Sequence, residues 1–322
     1  MIRMKWSACL LLATLVGCAD DSEAPSTFAI ATATTGGLYY PFGGVMASVW
    51  SKQLPHINAK AEVTGGSITN VIQVSRHESE VGIAMADAVT DAYLGQGIFA
   101  EPLPLRVLFT PYPNVIHILT LEGSGIEIVA DLADKRVSLG AAGSGTAVAA
   151  ANVITGLGLS LDDLAVVYLG FGETTAALKD GTIDAGFVVG GLGLAAVTEL
   201  AVTRNLRLVA LTNPDLEKLG EKYPAYSGFS IPANTYANID YDVQSLGVWT
   251  AVIVHADMSE AVAYDLTCTI YRHQDKLLKV SPVAKAMTFE NIHQLKAVPL
   301  HPGALRFVAD PEAPCAGDPD VG

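Results

Sequence analysis

Charged residues are scarce in this chain, and the basic ones are the scarcest. Only 16% of the 322 residues are charged, and 19 Lys and Arg stand against 33 Asp and Glu, which gives a formal net charge of -14. The Lys and Arg residues form no cluster along the sequence. Because an acidic surface without basic patches repels a phosphate backbone, this composition argues against nucleic acid as a partner.

The motifs of several enzyme and metal-site classes are also missing. The sequence contains no GxSxG, no CxxC, no HExxH and no GxxxxGK[ST] phosphate loop. The seven histidines are scattered, so we expect no close His/Cys/carboxylate cluster and interpret His56, His117, His255 and His301 as surface or packing residues. We therefore expect no catalytic residue, no cofactor and no metal, and we expect a protein that is not an enzyme.

Residues 1–17 have the features of a lipoprotein signal peptide. Arg3 and Lys5 precede an apolar run that is too short to span a bilayer, and Leu15-Val16-Gly17-Cys18 resembles a bacterial lipobox. We expect lipidation at Cys18, a polar tether over 18–26, and a folded part outside the cytoplasm, in the periplasm, anchored to the membrane by the lipid. The alternative is an ordinary secretory signal with an incidental cysteine. Without Arg3 and Lys5 the net charge is about -16.

Two of the four cysteines are left for the folded part. Cys9 lies in the signal peptide and Cys18 carries the lipid, so Cys268 and Cys315 remain. An extracytoplasmic compartment permits a disulfide, but the sequence leaves open whether these two residues approach closely enough to pair.

Half of the residues are hydrophobic, and they follow a βα rhythm. Short strand-like apolar runs alternate with segments of helical period, which predict helices over Tyr39–Leu54, Asn70–His77, Thr146–Leu157 and Glu173–Lys179. The rhythm is repeated in two halves, as expected of two α/β domains in a chain of this length. After Pro232 the pattern changes to one long apolar strand and a long amphipathic helix over Ser259–Leu278.

Two strand-to-helix junctions, one in each half, are suited to bind an anion. Thr34-Thr35-Gly36-Gly37 precedes the first helix, and Gly143-Ser144-Gly145-Thr146 precedes its counterpart in the second half. Glycine lets a ligand approach the backbone, a hydroxyl can cap the helix, and the free N–H groups at a helix N-terminus favour negative charge. Since no Lys or Arg is nearby, a carboxylate is favoured over a phosphate. Helix capping and simple turn formation are the alternative explanation.

A competing motif occurs at Gly191-Leu192-Gly193-Leu194-Ala195-Ala196, which fits the dinucleotide pattern GxGxxA. The acidic residue expected about 20 positions later is misplaced, so close helix packing beside the cleft is the favoured interpretation. Asp87 lies where a strand should end, where it could face a cleft or cap a helix.

The ordered series of motifs resembles the TAXI family of solute-binding proteins, which serve the tripartite TRAP transporters. The resemblance covers roughly residues 28–307. The motifs that carry it are Thr35-Gly36-Gly37 with Tyr39-Tyr40-Pro41, Thr64-Gly65-Gly66-Ser67 with Asn70, Asp87, Gly143-Ser144-Gly145-Thr146, Asp180-Gly181 with Ile183-Asp184-Ala185, and His301-Pro302-Gly303-Ala304.

The resemblance implies a type II periplasmic-binding-protein fold, in which two α/β lobes joined by a hinge close on a small carboxylate such as glutamate or 2-oxoglutarate and deliver it to the TRAP permease subunits. We expect lobe 1 to comprise 27–112 plus about 231–310, lobe 2 to comprise 113–230, and 311–322 to be a flexible tail. The residues expected to contact the solute are Thr35, Gly36, Gly37, Tyr39, Tyr40, Ser67, Asn70, Asp87, Ser144, Gly145, Thr146 and Gly190.

Two positions depart from the pattern of the TAXI family. Met85-Ala86 replaces an expected Gln-Ser pair, and Leu194 replaces an expected proline, so the pocket is predicted to be less polar.

A lipoprotein that senses a ligand and signals to a membrane kinase would have the same binding fold and is the alternative function.

Overall fold

The computed structural model describes residues 26–316. The predicted signal peptide, Cys18 and the tether as far as residue 25 lie outside this range, as do residues 317–322. Among residues 26–316, no helix is long and apolar enough to cross a membrane.

Within residues 26–316, the sheet of the first lobe has five strands: β1 (Ser26–Ala31), β2 (Ile57–Glu62), β3 (Val81–Met85), β4 (Leu105–Phe109) and the second half of β11 (Val243–His255). Their order in the sheet is β2-β1-β3-β11-β4. β1, β2 and β3 are parallel, and β11 runs antiparallel to both of its neighbours. The helices are α1 (Tyr39–Gln53), α2 (Ser67–Ser75), α3 (Ala86–Leu94), α8 (Glu260–Arg272), α9 (Gln274–Val280) and α10 (Pro302–Ala309).

The sheet of the second lobe contains β5 (Pro113–Leu121), β6 (Arg136–Ser138), β7 (Ala165–Val167), β8 (Ala185–Gly190), β9 (Leu206–Leu208), β10 (Tyr226–Ile231) and the first half of β11. The order in this sheet is β10-β11-β5-β8-β6-β7, with β9 paired to the end of β5. Its helices are α4 (Gly145–Gly156), α5 (Phe171–Lys179), α6 (Ala195–Thr203) and α7 (Asn213–Lys222).

Within residues 26–316 the chain crosses between the lobes twice, which agrees with the two-lobe α/β fold that was predicted. The first crossing is the short connection from β4 to β5, at residues 110–112. The second lies inside β11, whose residues 243–248 pair with β10 and whose residues 250–254 pair with β3. We expected the return to lobe 1 at about residue 231, but the structure puts it near Trp249, because β10 and β11 form an antiparallel hairpin that belongs to the second sheet.

The long helix predicted over Ser259–Leu278 is two helices in the structure. Ser259 caps the first of them, α8, by accepting a hydrogen bond from the Val262 N–H at 3.3 Å. The backbone leaves helical geometry at His273, which has φ -113° and ψ 25°, and α9 follows at once. The amphipathic pattern continues across this break, so the pattern alone did not reveal it.

Cys268 and Cys315 form a disulfide with a Cα–Cα distance of 5.9 Å. The bridge ties the segment after α10 to α8, and the Tyr264 hydroxyl donates to the carbonyl oxygen of Ala313 at 3.2 Å. The Ala316 N–H donates to the Asp265 carboxylate at 3.1 Å. Residues 311–316, the described part of the expected flexible tail, are therefore held against the first lobe.

Candidate ligand-binding cleft

A cleft of about 480 Å³, including the part open to solvent, lies between the two lobes. Residues of both lobes line it: Ala33, Thr34, Gly37, Leu38, Tyr39, Gly65, Gly66, Ser67, Met85, Tyr112, Asn114, Ala141, Ser144, Gly145, Thr146, Phe171, Val189 and Gly190. None of these residues is Lys, Arg, His, Asp or Glu, so residues 26–316 contribute no formally charged side chain to the wall of the cleft.

Four helices begin at the cleft. Tyr39 and Ser67 are the first residues of α1 and α2 in the first lobe, and Gly145 and Phe171 are the first residues of α4 and α5 in the second. All four line the cleft. The N-terminus of a helix carries a partial positive charge and free N–H donors. At α5 the carboxylate of Glu173 already accepts the Gly170 N–H at 2.8 Å. The termini of α1, α2 and α4 are therefore the ones that make the cleft favourable for an anion without any cationic side chain.

The first turn of α4 shows which donors remain available. A helix leaves its first four N–H groups without an acceptor inside the helix. The Ser144 N–H donates to the Ala141 carbonyl oxygen at 3.1 Å, and the Ala147 N–H donates to Ser144 Oγ, also at 3.1 Å. The N–H groups of Gly145 and Thr146 are the remaining two, and both residues line the cleft.

A neutral polar cluster also lies at the cleft. Asn114 Nδ2 donates to Thr250 Oγ1 at 2.7 Å and lies 3.3 Å from the Tyr39 hydroxyl. Burial raises the pKa of Tyr39 to about 12, so this hydroxyl stays protonated at neutral pH. The Tyr112 hydroxyl is buried and, among residues 26–316, makes no hydrogen bond of normal geometry. These groups can hydrogen-bond an uncharged oxygen of a ligand.

Glycines in the turn before α2 and at the start of α4 also serve a purpose that the sequence did not show. A Cβ on Gly65 would lie 2.8 Å from the carbonyl oxygen of Ala142 in the other lobe, and a Cβ on Gly145 would lie 2.6 Å from Ser67 Oγ. The Thr69 N–H donates to the Gly143 carbonyl oxygen across the cleft at 3.3 Å. These glycines let the backbones of the two lobes approach each other, in addition to any approach of a ligand.

Seven of the predicted site residues line the cleft, and five do not. Those in the lining are Gly37, Tyr39, Ser67, Ser144, Gly145, Thr146 and Gly190. Thr35 and Gly36 lie in an exposed turn beside it, and the Tyr40 side chain is 38% exposed. Of the two tyrosines that open α1, the structure therefore places Tyr39 at the cleft and Tyr40 toward solvent.

Asn70 is outside the cleft because its side chain is occupied within the first lobe. Its Nδ2 atom donates to the carbonyl oxygens of Thr32 and Ile83 at 2.5 and 2.7 Å, and its Oδ1 accepts from the Thr64 hydroxyl at 2.6 Å. The side chain is fully buried. Asn70 thus joins the ends of β1 and β3 to α2 and positions the turn that carries Gly65 and Ser67.

Asp87 also lies outside the lining. Its carboxylate is buried in the first turn of α3, where it accepts from the Ala88 N–H at 2.8 Å and from the Tyr226 hydroxyl of the other lobe at 2.7 Å. Burial raises the pKa of Asp87 to about 6, because the charged form is poorly solvated there. Asp87 therefore contacts the opposite lobe rather than the cleft.

The sequence reasoning missed Tyr112, Asn114, Phe171 and Val189 in the cleft wall. Asn114 had a usable signal, since it is a polar residue at the start of the buried strand β5. The others are apolar or aromatic residues in apolar runs, and nothing local distinguishes them from core. Met85 lines the cleft together with the apolar residues Leu38, Phe171 and Val189, so the expectation of a less polar pocket agrees with this lining.

The expectation that no His/Cys/carboxylate cluster occurs is wrong. The fold brings the ligand atoms of His77, His255 and Asp257 within 4.8 Å of one another, although the two histidines are 178 positions apart in the sequence. His117 and His301 are buried and hydrogen-bonded, as packing residues should be. Burial lowers the pKa of His117 to about 4, so its ring is neutral.

Solved structures share the fold of this chain. A protein from Bordetella bronchiseptica RB50 aligns over 93% of this chain and 86% of its own, with 17% identity and a TM-score of 0.53. The alkanesulfonate-binding protein SsuA from Xanthomonas axonopodis pv. citri, bound to MOPS, aligns over 89% of this chain and 85% of its own, with 16% identity and a TM-score of 0.48.

A third solved structure, named as a putative L-cystine ABC transporter from Listeria monocytogenes, aligns over 83% of this chain and 95% of its own, with 12% identity and a TM-score of 0.48. At these identities the likeness is one of fold alone. The match to a family model is more direct, because it extends over residues 30–309 and so takes in both lobes and both crossings. The chain belongs to the NMT1-like family.

Proposed function

We propose that this protein captures a small carboxylate in the cleft between its lobes and delivers it to a membrane transporter. One observation carries the proposal: helices α1, α2, α4 and α5 begin at one cleft whose wall has no charged side chain. Helix N-termini favour negative charge, and a single carboxylate needs less compensation than a phosphate dianion.

The lining favours an acid without an ammonium group. The resemblance to TAXI proteins suggests glutamate or 2-oxoglutarate, and these two differ at the carbon next to the carboxylate. An ammonium group would need a carboxylate partner, but the wall contains none, and the nearby Asp87 is already hydrogen-bonded to Tyr226. A keto or hydroxyl oxygen, in contrast, suits the donors at Tyr39 and Tyr112. We therefore rank keto and hydroxy acids above amino acids.

Lobe closure would provide the binding mechanism. The two lobes are joined by residues 110–112 and by β11 near Trp249, and two such crossings form a typical hinge. In the open form a solute would meet the donors of one lobe. Closure would then bring Gly145 and Thr146 toward Tyr39 and Ser67, which buries the carboxylate between helix termini.

The proposal also includes the type of transporter, a TRAP permease, and a lipid anchor in the membrane. The TAXI resemblance of the motif series, from Thr35-Gly36-Gly37 to His301-Pro302, supports a TRAP permease as the partner. The lipobox-like Leu15-Val16-Gly17-Cys18 supports a lipid anchor and a place outside the cytoplasm. These inferences depend on sequence pattern.

A thermal-shift and calorimetry panel tests the proposal. The panel contains pyruvate, lactate, 2-oxoglutarate, glutamate, inorganic phosphate and methanesulfonate. We expect at least one keto or hydroxy acid to bind with one-to-one stoichiometry and to raise the melting temperature, and glutamate to bind at least about tenfold more weakly than 2-oxoglutarate, about 1.4 kcal/mol. A panel in which only phosphate or only glutamate binds contradicts the assignment.

Uptake in cells separates transport from the other uses of a binding protein. A deletion strain should lose uptake of the acid that binds in the panel, and the intact gene should restore it. Uptake at the wild-type rate without this protein would rule out the delivery role and favour sensing.

A further inference from the structure

We propose that His77, His255 and Asp257 form a divalent transition-metal site on the surface of the first lobe. The ligand atoms of the three side chains lie within 4.8 Å of one another. The site is separate from the cleft, because none of the three residues is in the cleft wall. The proposal does not depend on the identity of the solute.

Three elements of the fold bring these side chains together. His77 follows the C-terminal end of α2, His255 is the last residue of β11, and Asp257 lies in the turn after that strand. His77 has a positive φ of 56°, which turns the chain at the end of the helix. Its ring then lies over the ring of His255, with the centroids 3.9 Å apart.

The carboxylate of Asp257 completes the group. Its Oδ2 is 3.6 Å from His77 Nε2, and its Oδ1 is 2.5 Å from His255 Nδ1. Two imidazoles at this distance would repel each other if both were protonated, whereas a metal ion bound by both would hold them in the same arrangement. The side chains of His77 and Asp257 are 59% and 66% exposed, so an ion can enter from solvent.

The donor set indicates the kind of metal. Two imidazole nitrogens and one carboxylate oxygen suit zinc, copper, nickel or iron better than calcium or magnesium, which prefer all-oxygen sites. With three protein ligands, a zinc ion would keep at least one position for water. The acidic net charge of -14 also raises the local concentration of cations around the chain.

The position in the fold suggests what the ion would do. The nine residues of α2 extend for about 14 Å, with Ser67 at the cleft and the metal site just beyond the other end. A bound ion would link this helix to β11, the strand that crosses between the lobes. It should therefore stabilise the first lobe without competing for the solute.

Calorimetry with zinc chloride on tag-free purified protein, with Mg²⁺ as the comparison ion, tests this site. We expect one equivalent of zinc to bind, no comparable binding of Mg²⁺, and a higher melting temperature with zinc. His77→Ala should weaken zinc binding by more than about tenfold, since even the loss of an outer hydrogen-bond partner of a ligand costs this much. Asp257→Asn should also weaken zinc binding. His56→Ala removes another exposed histidine and is the matched control.

Two results would overturn the proposal. One is the absence of stoichiometric zinc binding to the wild type. The other is zinc binding that His77→Ala and Asp257→Asn leave within twofold of the wild-type affinity. Both substituted side chains are exposed, so we expect both variants to fold, and circular dichroism of each variant checks this.

Discussion

The hydroxyl of Tyr226 donates a hydrogen bond to Oδ2 of Asp87 at 2.7 Å, and this bond joins the two lobes. Asp87 belongs to α3 of the first lobe and Tyr226 to β10 of the second. Asn152 of α4 fixes the acceptor side of the same hydroxyl, since its Nδ2 donates to it at 3.0 Å. All three partners lie away from the cleft wall, so this contact depends on closure of the lobes and not directly on the solute.

The first prediction concerns the affinity of the closed form. Tyr226→Phe removes the only hydroxyl in this contact and leaves the Asp87 carboxylate without its partner from the other lobe. A hydrogen bond to a charged group contributes about 1.5–3 kcal/mol, so we expect the affinity for the best acid of the panel to fall at least about tenfold. Calorimetry measures this change.

Tyr223→Phe is the matched control for that experiment, because Tyr223 packs against Tyr226, with the ring centroids 5.7 Å apart. It should leave the affinity near the wild-type value. If both variants bind the acid equally well, the contact between Tyr226 and Asp87 does not favour closure.

The second prediction concerns pH. Burial raises the pKa of Asp87 to about 6 from 3.8, so the folded protein binds a proton more tightly than the unfolded chain. The contribution of Asp87 to the free energy of unfolding should therefore be largest below about pH 4, and it should be lost as the pH rises through 6. The full loss is on the order of 3 kcal/mol. Urea unfolding of wild type and Asp87→Asn between pH 4 and 7.5 isolates this change.

Asp87→Asn keeps an oxygen acceptor for Tyr226 but cannot ionise. The free energy of unfolding of the wild type, relative to that of Asp87→Asn, should therefore fall as the pH rises through 6. Asp91 and Tyr39 are the other titratable groups near Asp87, and they are present in both proteins. A difference that stays constant over the range would show that the carboxylate is well solvated in the folded state. Tyr226→Phe should move the midpoint to higher pH, since that hydrogen bond lowers the pKa of Asp87.

The sequence predicted much of the fold because helix and strand periods are local. The helix predicted over Tyr39–Leu54 is found at Tyr39–Gln53, and the helix predicted over Thr146–Leu157 is found at Gly145–Gly156. The boundary between the lobes was misplaced because it depends on which sheet β10 and β11 join. Strand pairing is a long-range property that the apolar pattern of either strand does not contain.

The same difference between local and long-range signals applies to the residues of the candidate site. Ser144, Gly145 and Thr146 were predicted because a helix start has a local signature. Asn70 and Asp87 were expected at the cleft, but the sequence does not show which polar side chains have partners elsewhere in the fold. Tyr112 was missed for the opposite reason, since an aromatic residue after a buried strand is more often core.

The third prediction concerns the disulfide. Replacing Cys268 and Cys315 by serine should lower the free energy of unfolding by about 2–4 kcal/mol, because the bridge closes a long loop between residues 47 positions apart. The affinity for the acid should not change, since neither cysteine lies in the cleft wall. Urea unfolding with and without dithiothreitol provides the measurement. Reductant should destabilise the wild type and leave the double variant unchanged, and a wild type unaffected by reductant would contradict the structural role of this bridge.

The fourth prediction concerns the close approach of the lobes. A Cβ at Gly65 would lie 2.8 Å from the backbone oxygen of Ala142, so Gly65→Ala should hold the lobes apart. We expect the acid to bind more than about tenfold more weakly, while the melting temperature without the acid changes little. Gly44→Ala is the control, because a Cβ at that position has no neighbour within 4 Å. Equal affinities for the two variants would mean that the lobes do not need this contact to hold the solute.

The last prediction concerns the buried hydroxyl of Tyr112, which makes no normal hydrogen bond within residues 26–316 and belongs to a residue of the cleft wall. A buried donor without a partner costs about 1–3 kcal/mol, so Tyr112→Phe should leave the protein without solute equally stable or more stable. If the keto or hydroxyl oxygen of the acid is the missing partner, the same change should weaken its binding about tenfold. Stability and affinity would then change in opposite directions, which a general packing defect does not produce.

Tyr168→Phe, at a side chain that is 54% exposed, controls for the loss of a hydroxyl. A Tyr112→Phe protein that binds the acid as tightly as the wild type would place the solute's uncharged oxygen elsewhere in the cleft.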